Sequence, residues 1–424
     1  MKIIRLLIIC FFVLHSVLLY PSVSLADAPE IKAESAIVVD TSHGLPLYEK
    51  NTSQQIQPGG LTKIMTAMIA IEHLTDINAP ITADPAIIAG YDFSFGNMGI
   101  LANETLTVKD LLYGMMIYDA GEAAELLAHN LAGGYDSFLS LMNQKAAEIG
   151  AANTHFTNAS GYYDPAQVST AADLYRISSY AMQNQMFQEI VSTTLYEIPA
   201  NSHYKQVRYL SNTNQMLSTI RSDKYYNPSV KGIKTSNMKD FGYSLSISAK
   251  KGDTDLLCIV INSPVTGTDN FAYQDAAALL SYGFENFETV RLASKGDILD
   301  EIAVPNGNGV SHVLLTAGSH LDVGLPKEYN PDDLVKTVTK ADSVSAPIKE
   351  GQPLGSIAVS YLGTELARID LCAYQAVDID YAKDLLLKIK WVISSPFFWV
   401  PLLGLVLFFV IRLILINYHK FLQS

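Results

Sequence analysis

The chain has 424 residues, more than one ordinary compact domain holds and enough for two or three. Hydrophobic residues make up 49% and charged ones 17%, which provides for a sizeable core and excludes wholesale disorder. The formal net charge of −13 argues against the basic face that nucleic-acid binding takes, and no run of like charges marks a partner surface.

At the N-terminus Lys2 and Arg5 precede the apolar run LLIICFFVLHSVLLY, and SLA stands before Asp27. A basic region, an apolar region and a small-residue cleavage site make residues 1–26 a secretory signal peptide, with an uncleaved anchor as the competing reading. Cys10 follows Ile9 there, a poor fit to a lipoprotein cleavage site.

Residues 30–285 read as one α+β domain. SAIVVD (35–40) and PLYEKN (46–51) flank TSHG, the pattern of strand, tight turn and strand. After Pro58, Gly59 and Gly60, the residues Leu61, Ile64, Met65, Met68 and Ile71 recur at the spacing of one buried helix face. Helical patterns fill about 105–150, NASGYYDP (158–165) is a loop, and TAADLYRISSYAMQ returns to a helix. Over 228–262 the period shortens: PSVKGIKTS feeds a hairpin made of GYSLSISA and DLLCIVIN, turned by KKGDT. FAYQDAAALLSYGF (271–284) closes the domain as a helix. Helices stand between early and late strands, so an antiparallel sheet must be assembled from both ends of the domain.

Residues 287–380 carry short strands and frequent Gly, Pro and Asn, which predicts a small β-rich domain. A juxtamembrane stem over 381–396 leads to FFWVPLLGLVLFFVIRLILI (397–416), about the ~20 residues a bilayer core takes. Arg412 can snorkel, and with His419 and Lys420 it marks the inner side. The expectation is a single-pass protein of the cell membrane with its bulk extracytoplasmic. Cys258 and Cys372 sit in apolar strand-like runs and read as small buried hydrophobes, with no bridge between them. No Cys/His spacing suits a metal, and no cofactor is needed. His73, His129 and His155 are scattered and are assigned no ligand. Glu148 and Asp173 read as solvated helix faces. The 23 tyrosines raise carbohydrate stacking as a reading, although core and rim positions are the commoner use in such a domain.

Five segments in order, SAIVVDTSHGLPLYEKN, GLTKIMT, NQKAAEIGAANTHFTNASG, VKGIKTS and APIKEGQPLGSIAV, carry a resemblance over about residues 34–380. They resemble the low-molecular-weight penicillin-binding proteins, the serine D-alanyl-D-alanine carboxypeptidases. The resemblance implies a transpeptidase/β-lactamase-like domain followed by a small all-β domain, acting in peptidoglycan metabolism. It also implies three catalytic clusters. In Ser-x-x-Lys, a spacing of three puts hydroxyl and amine on one helix face, where the lysine takes the serine proton. Here Lys63 is present as the remnant base, but the nucleophile position holds Gly60. Thr62 is a poor substitute, since neighbouring helical residues point about 100° apart.

The second cluster, Ser-x-Asn, is read as Ala120, Gly121 and Glu122, without the hydroxyl and with a carboxylate in the amide's place. The third, Lys-Thr-Gly, is Lys234, Thr235 and Ser236, with glycine replaced by a residue that crowds the substrate groove. Glu122 is expected between Lys63 and Lys234 as a replacement ion pair, or as a general base for a water. The Gly60 N–H is expected to survive as part of an oxyanion hole. Without a nucleophile an acyl-enzyme route has no first step, and further losses in the unit cost little more. Three readings stand. One is an inactive pseudoenzyme that binds the peptidoglycan stem peptide or an envelope protein partner. Another is an active carboxypeptidase using a displaced nucleophile or a Glu122-activated water. The last is an interaction module working through the β domain.

Overall fold

In the computed structural model, residues 28–42 and 44–422 are described; the signal peptide read over 1–26 lies outside them. Two units divide the chain, one running to Thr289 together with Gly324–Tyr329, the other comprising Val290–Val323 and Asn330 onward.

The first unit contains, in order, strands β1 (Ser35–Asp40) and β2 (Leu45–Lys50), then helices α1 (Thr62–His73), α2 (Val108–Ile117) and α3 (Gly121–Asn130). Helices α4 (Tyr135–Glu148), α5 (Ala171–Ala181) and α6 (Gln185–Ser192) follow. Strands β3 (Val230–Met238), β4 (Gly242–Lys251) and β5 (Thr254–Ser263) come next, and helix α7 (Phe271–Asn286) ends the series. The strands form one antiparallel sheet in the order β2-β1-β5-β4-β3, so the early pair joins the late hairpin through β1 and β5, with Val38 opposite Cys258.

The alternation of β5 explains why this sheet is covered on both faces. Leu257, Ile259 and Ile261 point into one core with α1, α2 and α5, whereas Leu256, Cys258 and Val260 point into a second core against α7. Helix α1 is buried from Thr62 to Ala70, which makes it the central helix of the first core rather than a surface amphipath. Local chemistry starts the outer helices: Thr107 and Asp110 form a capping box on α2, and Thr170 caps α5. Asp173, read as solvated, is fully buried and accepts from Asn153 N–H and Thr154 Oγ1. Strand β3 lies at the edge of the sheet, and the chain entering α1 runs beside it.

The second unit carries strands β6 (Ile298–Ala303), β7 (His312–Ala317), β8 (Leu334–Lys340), β9 (Pro353–Tyr361) and β10 (Thr364–Ala373). They form an antiparallel sheet in the order β6-β7-β10-β9-β8, over a separate core that includes Val313, Leu315, Ile357, Val359 and Leu371. Cys258 and Cys372 are both free. Helices α8 (Tyr381–Ser394) and α9 (Pro396–Leu422) end the chain, α9 continuing through Pro401. Among the described residues no single helix is long and apolar enough to cross a membrane; Tyr381–Ser394 and Trp399–Leu415, bent by 51°, qualify as a pair by length and composition.

Candidate functional site

The site lies where α1 begins. Gly59, Gly60 and Leu61 make one tight 3-10 turn that runs into the helix. Gly59 has φ +52°, which favours glycine, and a Cβ there would stand 2.5 Å from Met238 Sδ and 2.6 Å from Ser236 Oγ, so a larger residue would have to displace both side chains. Gly161 of the NASGYYDP loop also packs on this turn, with room for no Cβ: one would fall 2.0 Å from the Gly59 carbonyl oxygen. Position 60 differs. Its backbone is ordinary, and a Cβ would meet Asp119 Oδ1 at 3.1 Å and the Ser236 side chain at 3.4 Å.

One turn further on, Lys63 projects to the same spot and pairs with Asp119 Oδ1 at 3.0 Å. Lys234, fully buried on β3, brings its Nζ to 2.7 Å from that same oxygen. Burial pushes the Lys234 ammonium down to about 8, and the neighbouring Lys63 charge adds to this against the pull of Asp119. Burial works to raise the Asp119 carboxyl, but Lys234 and Lys63 outweigh it and hold the group below the usual carboxylate range.

Asp119 is the residue the sequence reading missed. It joins α2 to α3 with φ +71°, a left-handed conformation that Asp tolerates better than most residues. That kink turns its side chain toward α1 and β3. Ala120, expected to mark the lost hydroxyl, is a buried helix N-cap without a side-chain cap. Glu122, expected between the two lysines, is not there. It sits in the first turn of α3, fully buried, and accepts from the Met98 N–H at 2.7 Å and the Gly99 N–H at 3.1 Å. Helical side chains lean toward the N-terminus of their helix, which carries this one back onto the 96–100 loop. Its Oε2 has no partner among the described residues, and burial raises its pKa despite the backbone donors. The signal for Asp119 was an acid one residue before the cluster as read: in space the three-residue cluster is Asp119–Ala120–Gly121.

The third cluster is present and closed. Lys234, Thr235 and Ser236 are all buried. Thr235 Oγ1 pairs with Thr213 Oγ1 at 2.7 Å. Ser236 Oγ accepts the Gly60 N–H at 2.8 Å, so the donor expected to remain open for an oxyanion is occupied from within the chain. Thr62 is also committed, its Oγ1 accepting from Gln167 Nε2 at 3.3 Å. Above the turn, Phe95 and Tyr162 meet with ring centroids 4.5 Å apart, joining the loop beside Asp119 to the loop beside Gly59. The arrangement brings Gly60, Lys63, Lys234 and Ser236 together, adds Asp119, and leaves Ala120 and Glu122 without a polar atom toward the lysines.

Residues 22–265 match the family model described as D-alanyl-D-alanine carboxypeptidase, and residues 287–378 match the one described as penicillin-binding protein 5, C-terminal domain. The D-alanyl-D-alanine carboxypeptidase DacF of Bacillus subtilis is 27% identical over 344 residues, spanning 81% of this chain and 85% of that protein. DacC of Escherichia coli is 27% identical over 361 residues, spanning 83% and 86%. Among solved structures, penicillin-binding protein 5 of Haemophilus influenzae superposes with a TM-score of 0.67 at 24% identity, over 83% of this chain and 99% of that one, a likeness of fold. The DD-transpeptidase of Streptomyces K15 superposes at 0.56 with 27% identity, over 61% and 100%.

Proposed function

The chain belongs to the D-alanyl-D-alanine carboxypeptidase family, and from that premise we propose that it is a non-cleaving member, one that binds cell-wall peptide or an envelope partner without forming an acyl-enzyme. The observation that carries this reading is the state of position 60: no side-chain atom to acylate, and a backbone N–H already held by Ser236 Oγ. Asp119 supports it, because its carboxylate takes up both lysines that the family's chemistry would use on a hydroxyl proton and a substrate carboxylate. Its negative charge also opposes a peptide's terminal carboxylate. The bent helical pair at the C-terminus supports a membrane anchor by its length and composition.

A second reading, an active carboxypeptidase, draws on the relatives, which are named for that activity. Of its two routes, the Glu122-activated water loses support, since that carboxylate is turned onto Met98 and Gly99. A displaced nucleophile would be Ser236, the hydroxyl lying against Gly60.

Incubation of the purified chain with fluorescent penicillin separates the two. The expected result is no label after denaturation and no D-alanine released from a pentapeptide ending in D-Ala-D-Ala. A covalent adduct, mapped by mass spectrometry to Ser236 or any neighbour and lost in Ser236→Ala, establishes the active reading instead.

A further inference from the structure

Away from the central cluster, a cavity of 390 Å³ opens between the 224–227 segment and α7. Its size falls within the range of small-molecule sites, and its walls combine aromatic faces with a few planar polar groups. Tyr225 forms the base: its ring stacks on the buried Tyr273 at 4.8 Å, and its hydroxyl accepts the Asn270 N–H at 2.9 Å. Tyr273 is fixed in turn, donating to the Thr213 carbonyl at 3.1 Å and meeting the Tyr243 hydroxyl at 3.2 Å. The base is therefore rigid.

The mouth is chemically free. Tyr226 is 48% exposed, and neither its hydroxyl nor the Gln274 side-chain amide makes a hydrogen bond among the described residues. Asn227 uses its Oδ1 on Ser229, which leaves its Nδ2 as a donor. Lys224, the cation at the rim, is committed to Asp269 Oδ1 at 2.7 Å and to the Thr268 carbonyl at 2.9 Å.

These features select one ligand class. A phosphate or other anion finds no uncommitted cation here, and the chain's net charge of −13 opposes it further. A wholly apolar ligand would strand the amides of Asn227 and Gln274. A neutral ring with one C–H face, flanked by hydroxyls and an acetamido group, meets both demands: the face lies on a tyrosine, and the acetamido C=O and N–H match the free amides. An exposed mouth also lets one ring of a polymer enter while its neighbours project outward.

We infer that the cavity of Tyr225, Tyr226, Asn227 and Gln274 is a carbohydrate subsite for an N-acetylhexosamine unit of the cell-wall glycan. The assignment rests on the family's setting in the wall and not on the silence of Gly60, so the penicillin experiment and the one below fail separately. Of the cavity's walls, Tyr273 donates to the Thr213 carbonyl, and the Thr213 hydroxyl meets Thr235 of the central cluster.

The test uses the full chain in a detergent without a sugar headgroup, titrated with a β-1,4-linked N-acetylglucosamine oligomer. Binding is followed by calorimetry and by saturation transfer from protein to ligand. Saturable binding is expected, weakened about tenfold by Tyr226→Ala through loss of the stacking face and severalfold by Gln274→Ala. Both residues are exposed, so neither variant should unfold the chain. Absence of saturable binding overturns the assignment, as does binding untouched by both variants. Equal affinity for a glucose oligomer overturns the acetamido part. Binding of a free stem pentapeptide that is lost in Tyr226→Ala, with no glycan binding, assigns the cavity to peptide instead.

Discussion

The central cluster and the tyrosine cavity lie in the same unit and treat their polar groups in opposite ways. At the cluster the polar groups are turned on one another: Asp119 takes Lys63 and Lys234, Gly60 N–H is held by Ser236, and Thr235 meets Thr213. At the cavity the buried Tyr273 is satisfied internally, while Tyr226, Gln274 and Asn227 keep donors and acceptors facing solvent. Polar groups at a solvent-facing mouth can stay unspent, whereas those packed between a helix start and a sheet edge gain stability by pairing. The difference teaches that two buried ammonium groups are costly in the interior until a carboxylate such as Asp119 neutralises them.

The largest effect expected from breaking this contrast is a gain of chemistry. Gly60→Ser alone should take no penicillin label, since Ser236 still occupies the backbone donor and Asp119 still holds both lysines. Gly60→Ser combined with Asp119→Ser, Gly121→Asn and Ser236→Gly restores all three clusters and should label once the Tyr91 hydroxyl, 2.2 Å from the new Cβ at position 121, swings aside, because members of such a unit act only together. Label on the single variant would show that the closure is easily displaced.

Next in size is stability. Asp119→Ala leaves two buried ammonium groups unopposed and should cost about 3–5 kcal/mol in urea denaturation. Adding Lys234→Met should recover most of that loss; no recovery would mean that Asp119 stabilises the chain by some means other than charge. The pH response follows the same pair. Asp119 titrates below its unfolded value, so its contribution is present above the usual carboxylate range and is lost as pH falls through the lower folded value. Lys234, pushed down to about 8, binds its proton less tightly when folded, so stability should rise with pH from about 8 to the unfolded lysine value. Lys234→Met should flatten that rise.

The smallest effect concerns Glu122. Its carboxyl is raised by burial, so the unfolded chain releases the proton first and stability falls as pH climbs through the folded value. Glu122→Gln keeps the acceptor for Met98 and Gly99 without titrating, and should stabilise the chain by about 1 kcal/mol at neutral pH and by less in mild acid. Denaturation at two pH values measures it. A loss of stability equal at both would show that the carboxylate charge itself is wanted there.

Local pattern carried much of this in advance. The continuous apolar run in DLLCIVIN marked a strand of the hairpin, and Leu61, Ile64, Met65, Met68 and Ile71 marked a buried face of α1, of which Ile71 is only half-buried. The three-residue step from Gly60 to Lys63 placed both on one side of that helix. The step from Lys234 to Ser236 put both on one face of a strand. What was missed involves direction. Glu122 follows from the lean of helical side chains once the start of α3 is known, yet the segment YDAGE alone does not say which residue begins the helix. Asp173 looked like a solvated acid because its partners, Asn153 and Thr154, reach it across a loop.

The amino-acid sequence by itself determined that position 60 has no side-chain oxygen, that Lys63 and Lys234 are present, and which stretches alternate or recur with a helical period. These are properties of covalent identity and of short-range geometry, in which residues fewer than five apart are placed by the backbone alone. Only the tertiary structure decided that Ser236 caps Gly60 from 176 residues away and that Asp119, rather than Glu122, faces both lysines. Those pairings depend on how a sheet edge, a left-handed kink and a helix start are packed against one another, and spacing along the chain carries no record of that.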